Sequence, residues 1–137
     1  MYPAEIVAPM RAELVDAGLR DLTTIEEVDE AMAQSGTTLV VVNSVCGCAA
    51  GTMRPGVVHA LENEAKPDHV VTVFAGVAFD ATKKAREYML PYPPSSPSVA
   101  LFKDGQLVHM VERHHIEGRP AQLISANLRA AFDEFCN

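Results

Sequence analysis

Cys46 and Cys48, with only Gly47 between them, follow a β-branched apolar run in the stretch VVVNSVCGCAAG, residues 40–51. Two thiols at this spacing point to three kinds of chemistry. They can exchange disulfides, because a thiolate is the nucleophile that opens a disulfide bond. They can form half of a zinc site, which takes about four ligands. They can also be small buried side chains with no reaction at all. α-Carbons two residues apart are separated by at most about 7 Å, and a disulfide wants roughly 4.4–6.8 Å with a fixed torsion. Closure between Cys46 and Cys48 is therefore feasible but strained, and strained disulfides are readily reduced. Gly47 tolerates the backbone angles that such a closure asks for. The pair suits disulfide exchange or isomerisation, or one-thiol chemistry through a mixed disulfide.

A metal site would need Cys136 and one of His59, His69, His109, His114 or His115 to complete it. No second paired motif exists, and apart from His114-His115 the histidines are scattered. The expectation is a redox pair with no metal. The rival of another class is a non-catalytic metal-binding or interaction module.

The elements around the pair come from periodicity. TTLVVVNS is a continuous apolar, β-branched run, which suits a strand buried on both faces. Before it, PAEIVAPMRAELVDAG has apolar residues at helical spacing, with Pro9 as a late start or a kink and Gly18 as the exit. TTIEEVDEAMAQSG opens with Thr24 and Glu27 at capping-box spacing and leaves at Gly36. After the cysteines, MRPGVVHALENEA continues as a helix, HVVTVFAGVAF is a second buried strand, and DATKKAREYML is a helix capped by Asp80. YPPSSP is a turn-forming stretch. SVALFKDGQLVHMVER is a hairpin turning at Asp104-Gly105. RPAQLISANLRAAFDEF is a final helix, with Leu123, Ile124, Leu128, Ala131, Phe132 and Phe135 as its apolar stripe.

From residue 37 onward the order is β-α-β-α-β-β-α, the order of a thioredoxin-like fold: α/β, a central mixed sheet flanked by helices. The chain of 137 residues has the size of one domain. It divides into an N-terminal helical extension at 1–36, adding two helices, and a thioredoxin-like core at 37–137.

Composition narrows the function. The net charge of −7 argues against a nucleic-acid protein, which would normally carry a basic stripe or patch. No apolar run approaches the ~18 residues of a membrane span. MYPAEIVAPMRAELVDAG lacks the basic leader and apolar block of a signal peptide. A cytoplasmic location is the expectation. In that reducing compartment three cysteines do not make a disulfide framework.

In such a fold Cys46 stands at a strand-to-helix turn, where unpaired N–H groups and the helix dipole favour a thiolate. Cys46 is thus the candidate nucleophile. Arg54 is close in sequence and could add positive potential, but is read as a solvated surface arginine. Pro97, just before a strand in PSSPSVALF, takes the place where thioredoxin-like folds carry a cis-proline beside the cysteines. Ser96 before it offers backbone groups to an extended substrate.

NSVCGCAAG, SSPS and RHHIEG together resemble the bacilliredoxin family, thioredoxin-like proteins with a C-G-C site. The resemblance runs from VAPMRAEL through TTLVVVNSVCGCAAG and TVFAG to AAFDEFC. It implies a cytosolic thiol–disulfide oxidoreductase that removes bacillithiol from S-bacillithiolated client proteins, with bacillithiol as co-substrate and no bound cofactor. Disulfide isomerase activity is the alternative. Carried over, Cys46 is the family nucleophile, Cys48 its partner and Pro97 the cis-proline. Gly47, Ser96 and Pro97 would contact substrate. Asn43 stands on the strand where thioredoxins carry a buried acid, so proton transfer by such an acid on this strand is not available. Cys136 matches the family's C-terminal cysteine, either an inert thiol or a third exchange partner.

Overall fold

The computed structural model describes residues 2–137. In chain order it contains α1 (Ala4–Val15), β1 (Arg20–Asp21), α2 (Ile25–Met32), β2 (Thr37–Asn43), a π-helical segment (Ala49–Met53) running into α3 (Arg54–Ala60), β3 (His69–Phe74), α4 (Phe79–Tyr88), β4 (Ser98–Lys103), β5 (Gln106–Val111), α5 (Arg113–Ile116) and α6 (Ala121–Phe135).

β2 is buried along its whole length, as its unbroken apolar run predicts, because it lies in the middle of the sheet. The five strands are ordered β1-β3-β2-β4-β5. β3 runs parallel to β2, with Val40 opposite Val71. β4 runs antiparallel on the other side, with Val40 opposite Ala100, and β5 pairs antiparallel with β4. Successive side chains point to opposite faces. Leu39 and Val41 therefore join Val99 and Leu101 in one core, closed by Leu14, Met53, Val57, Ile124, Leu128 and Phe132. Val40 and Val42 join Ala100 and Phe102 in the other, closed by Val28, Met32, Ala81 and Ala85. Burying each Leu, Val or Phe contributes roughly 1.5–3 kcal/mol, so both helical layers are held by the sheet they cover. Gly56 lets α3 meet α6 closely, since a Cβ there would lie 2.8 Å from the Ile124 Cβ.

Local signals account for several boundaries. Glu27 donates its N–H to the Thr24 hydroxyl at 3.1 Å, and Thr24 donates its own to the Glu27 carboxylate at 3.2 Å, the reciprocal capping box at α2. At the hairpin, Asp104 and Gly105 have φ of 50° and 81°, the two positive values that a two-residue turn between twisted strands requires.

Other boundaries differ from the sequence expectation. Both N-terminal helices are present, and α1 runs through Pro9. Between them lies β1, only two residues long, pairing parallel with β3. Its residues, Arg and Asp, carry no strand signal, and pairing comes from the exposed edge of β3. α4 begins at Phe79 after Ala78, so Asp80 is an acid in the first turn rather than the cap. β3 stops at Phe74, before the turn at Gly76, whose φ is 83°. Leu123, expected in the stripe of α6, is exposed. No helix among the described residues is long and apolar enough to cross a membrane.

Candidate active site

The register of the sheet gathers the candidate residues at one end. β2 pairs Val42 with Ser98 at the start of β4. The chain leaving β2 toward Cys46 thus runs beside the chain entering β4 from Ser96 and Pro97. β4 pairs Val99 with Val111, which brings Arg113, two residues past the end of β5, to the same rim. The Ser96–Pro97 peptide bond is cis.

At the turn itself, the Cys46 carbonyl accepts hydrogen bonds from the N–H groups of Ala49 at 3.0 Å and Ala50 at 3.2 Å. Cys46 therefore sits at the opening of the helix and Cys48 in its first turn. Both thiols are free and half-buried. Gly47 is exposed between them, with open space where a Cβ would stand.

The two thiols have opposite proton affinities. Burial, the largest single influence, pushes the Cys46 thiol up. Hydrogen bonds from the Cys48 thiol, the Ser44 hydroxyl and the backbone N–H groups of Ala49 and Cys48 outweigh it and hold Cys46 below the ordinary thiol range. Cys48 is pushed up by burial, by the hydrogen bond it donates to Cys46 and by the negative charge there, with Arg113 pulling the other way. A thiol that keeps its proton thus stabilises a neighbour that has lost one.

Ser44 deserves its place by its bonds. Its hydroxyl accepts from the Cys46 N–H at 3.3 Å while bonding to the sulfur. Its own N–H donates to Asn43 Oδ1 at 2.9 Å, and its carbonyl accepts from Arg54 Nη1 at 2.8 Å. Arg54 is not the solvated surface residue expected. It is 2% exposed, and also donates to Asn43 Oδ1 at 2.9 Å and to Glu13 of α1 at 2.9 Å. Asn43 completes the set by donating to the Met10 carbonyl at 3.2 Å. In place of a carboxylate on β2, the turn rests on a buried cation whose counter-ion comes from α1. One signal in the chain pointed to Arg54: it is the only Asp, Glu, Lys or Arg between Glu30 and Glu62. Its partners, 10 to 41 residues away, could not be read from that signal.

Pro97 is buried and Ser96 half-buried. The Ser96 carbonyl accepts from Arg113 Nη1 at 3.1 Å, and the Arg113 N–H donates to the Ser95 hydroxyl at 3.4 Å. Arg113 Nε bonds Glu117 at 2.8 Å. The sequence carries no signal for the position of Arg113, because α5 is a four-residue helix in a stretch without apolar periodicity.

Cys136 lies elsewhere. It follows α6 and is surrounded by Thr37, Asp68 and Lys103, with burial first among the influences that push its thiol up. Thr37 and Lys103 pair at the far end of β2, about 20 Å along the strand from Asn43. Cys136 therefore cannot complete a metal site with Cys46 and Cys48. Nor do the histidines converge on them: His59 meets Glu62, His69 the Ser35 carbonyl and His109 Asn127. Among the described residues the one group with metal-ligand potential is Glu112, His114 and His115, with no cysteine in it.

The chain is similar to known proteins along nearly its whole length. A family model described as disulphide isomerase matches residues 2–136. A bacilliredoxin of Cytophaga hutchinsonii is 60% identical over 134 residues, covering 98% of this chain and 99% of its own. A bacilliredoxin of Bacillus cereus strain ZK is 54% identical over 132 residues, covering 96% and 92%. Among solved structures, oxidised mitochondrial thioredoxin 3 of Saccharomyces cerevisiae superposes with a TM-score of 0.58 at 17% identity, covering 85% of this chain and 94% of that one. A thioredoxin variant of Halobacterium salinarum gives 0.61 at 16%, covering 88% and 93%. At such identities the likeness shows the thioredoxin fold alone. The relatives, matched over nearly their full length, show more: the chain belongs to the bacilliredoxin family of thiol–disulfide oxidoreductases.

Proposed function

We propose that this protein removes bacillithiol from S-bacillithiolated client proteins in the cytoplasm, acting as one domain over residues 1–137. The observation that carries the reading is the divided thiol pair: Cys46 held toward thiolate, Cys48 held toward thiol. In the first step the Cys46 thiolate attacks the bacillithiol sulfur of the client's mixed disulfide. A Cys46–bacillithiol disulfide forms, the client disulfide breaks, and the client cysteine leaves as a thiolate that takes a proton from water. The number of disulfides is unchanged, so no outside oxidant or reductant enters. In the second step free bacillithiol attacks the bacillithiol sulfur of this disulfide and frees Cys46 as a thiolate, or Cys48 after losing its proton attacks the Cys46 sulfur. The first route releases bacillithiol disulfide; the second releases bacillithiol and leaves a Cys46–Cys48 disulfide. Bacillithiol is a co-substrate here, and no bound cofactor is called on. Gly47 leaves the sulfurs open from above, and Ser96 with Pro97 borders the client segment.

The test is transfer from a bacillithiolated client followed by mass spectrometry. Cys46→Ala should abolish release of the client thiol. Cys48→Ala should keep the first step and accumulate protein carrying one bacillithiol on Cys46. Equal loss in both variants would overturn these roles. A second reading, disulfide isomerase, is supported by the description of the matched family model. Recovery of activity from a scrambled-disulfide client by the Cys48→Ala protein would favour it.

A further inference from the structure

Arg113 is the cation placed at the thiols with part of its guanidinium unspent. Nη1 is anchored on the Ser96 carbonyl and Nε on Glu117. Nη2 carries no hydrogen bond to a described residue. The side chain is 45% exposed and its partner Glu117 62% exposed, and an ion pair this open exchanges readily because water screens it. Glu112, the other acid beside it, is turned to its own helix: its carboxylate accepts from the backbone N–H of His115. The anchor on Ser96 places the guanidinium beside Pro97, opposite the cysteine turn across the rim. After the hydrogen bond of Glu117, negative charge on Cys48 and Cys46 is what raises the proton affinity of Arg113.

A mixed disulfide seated on Cys46 brings the rest of the small thiol to this rim. When Glu117 gives way, Nε and Nη2 form an edge that matches a carboxylate, which it can hold through two parallel bonds. Glu117 already shows that a carboxylate fits against this guanidinium. We infer that Arg113 is an anion subsite for a carboxylate on the small thiol carried by the client cysteine, selecting acidic adducts over neutral or cationic ones. The inference rests on the exchange reaction above and deepens it, since it assigns the recognition of the adduct to a residue outside the C-G-C turn. Glu117 acts in it as an internal competitor that a substrate carboxylate displaces.

The experiment uses the full chain and one client peptide converted to three mixed disulfides: with 3-mercaptopropionate (acidic), 2-mercaptoethanol (neutral) and cysteamine (cationic). For each, kcat/KM is compared between variant and wild type, so that intrinsic differences among the three thiols cancel. Arg113→Gln should lower the acidic adduct about fivefold relative to the neutral one, the upper range for a half-exposed ion pair. It should raise the cationic adduct. Arg113→Lys should keep part of the preference, because charge remains while the fork is lost. Glu117→Gln should move the ratio the other way. The wild-type preference should shrink in high salt. An equal fall for all three adducts in Arg113→Gln would overturn the subsite and leave the exchange reaction standing. No transfer from any adduct by the wild-type protein would overturn the exchange reading, and the subsite with it.

Discussion

Two arginines border the cysteine turn, and they differ in almost every physical respect. Arg54 lies beneath it, with a side chain 2% exposed, and spends its guanidinium on three fixed acceptors from β2, the loop after it and α1. Arg113 stands on the rim, 45% exposed, with one anchor on a backbone carbonyl and one exchangeable carboxylate. Burial separates their duties. A cation removed from water must be paired and hydrogen-bonded, so it becomes a structural joint, and losing it strands its partners. A half-exposed cation can leave one partner for another at little cost, which suits recognition.

The largest effect expected from this contrast is on stability. Arg54→Ala should destabilise the fold by about 3 kcal/mol, from the void and from the orphaned acceptors on Asn43 and Ser44, read as a lowered midpoint in urea. Arg54→Lys should recover only part of it, because an ammonium cannot reach both acceptors with the same fork. Unfolding of Arg54→Ala at the wild-type midpoint would remove Arg54 as a joint.

A smaller and more specific effect belongs to Ser44, the link between Arg54 and the reactive sulfur. The thiolate is the reactive form, so the transfer rate rises with pH through the Cys46 pKa and then levels off. Cys46 is held low, so the inflection should fall at lower pH than that of a free cysteine. Ser44→Ala removes one donor to the sulfur. Its inflection should move to higher pH, with a several-fold slower rate at neutral pH and a plateau close to wild type. An unmoved inflection would mean that the backbone N–H groups and Cys48 suffice.

The smallest effects sharpen the comparison. Glu13→Gln keeps an acceptor for Arg54 and removes a charge from a side chain 39% exposed. Arg113→Gln removes a rim charge. In the same urea titration Arg113→Gln should leave the midpoint close to wild type, while Glu13→Gln should lower it further, though less than Arg54→Ala, because it takes the carboxylate from a buried cation. A stability loss in Arg113→Gln as large as that of Arg54→Ala would erase the distinction between joint and recognition group.

Much of the fold was legible because its signals are local. The all-apolar run of β2, the Thr24–Glu27 box and the Asp104-Gly105 turn each need only neighbouring residues to act. β1 was not legible, since two polar residues become a strand only when the edge of β3 offers them partners. For the site, Cys46, Cys48 and Pro97 were readable from spacing and family resemblance. The inner position of Arg54 and the rim position of Arg113 were not.

The order of the longer elements, the C-G-C turn at the end of a buried strand, and the absence of any carboxylate on that strand are all legible in the chain alone. Those properties follow from side-chain periodicity, turn chemistry and composition, all of which act over a few residues. Tertiary structure alone decided that Asn43, Ser44, Glu13 and Arg54 form one buried network, that Cys136 lies at the opposite end of β2, and that Arg113 meets Ser96 beside Pro97. Each of these depends on strand register and helix docking, which bring together residues 10 to about 100 positions apart. Hydrogen bonding and desolvation then act on neighbours that the linear chain does not show.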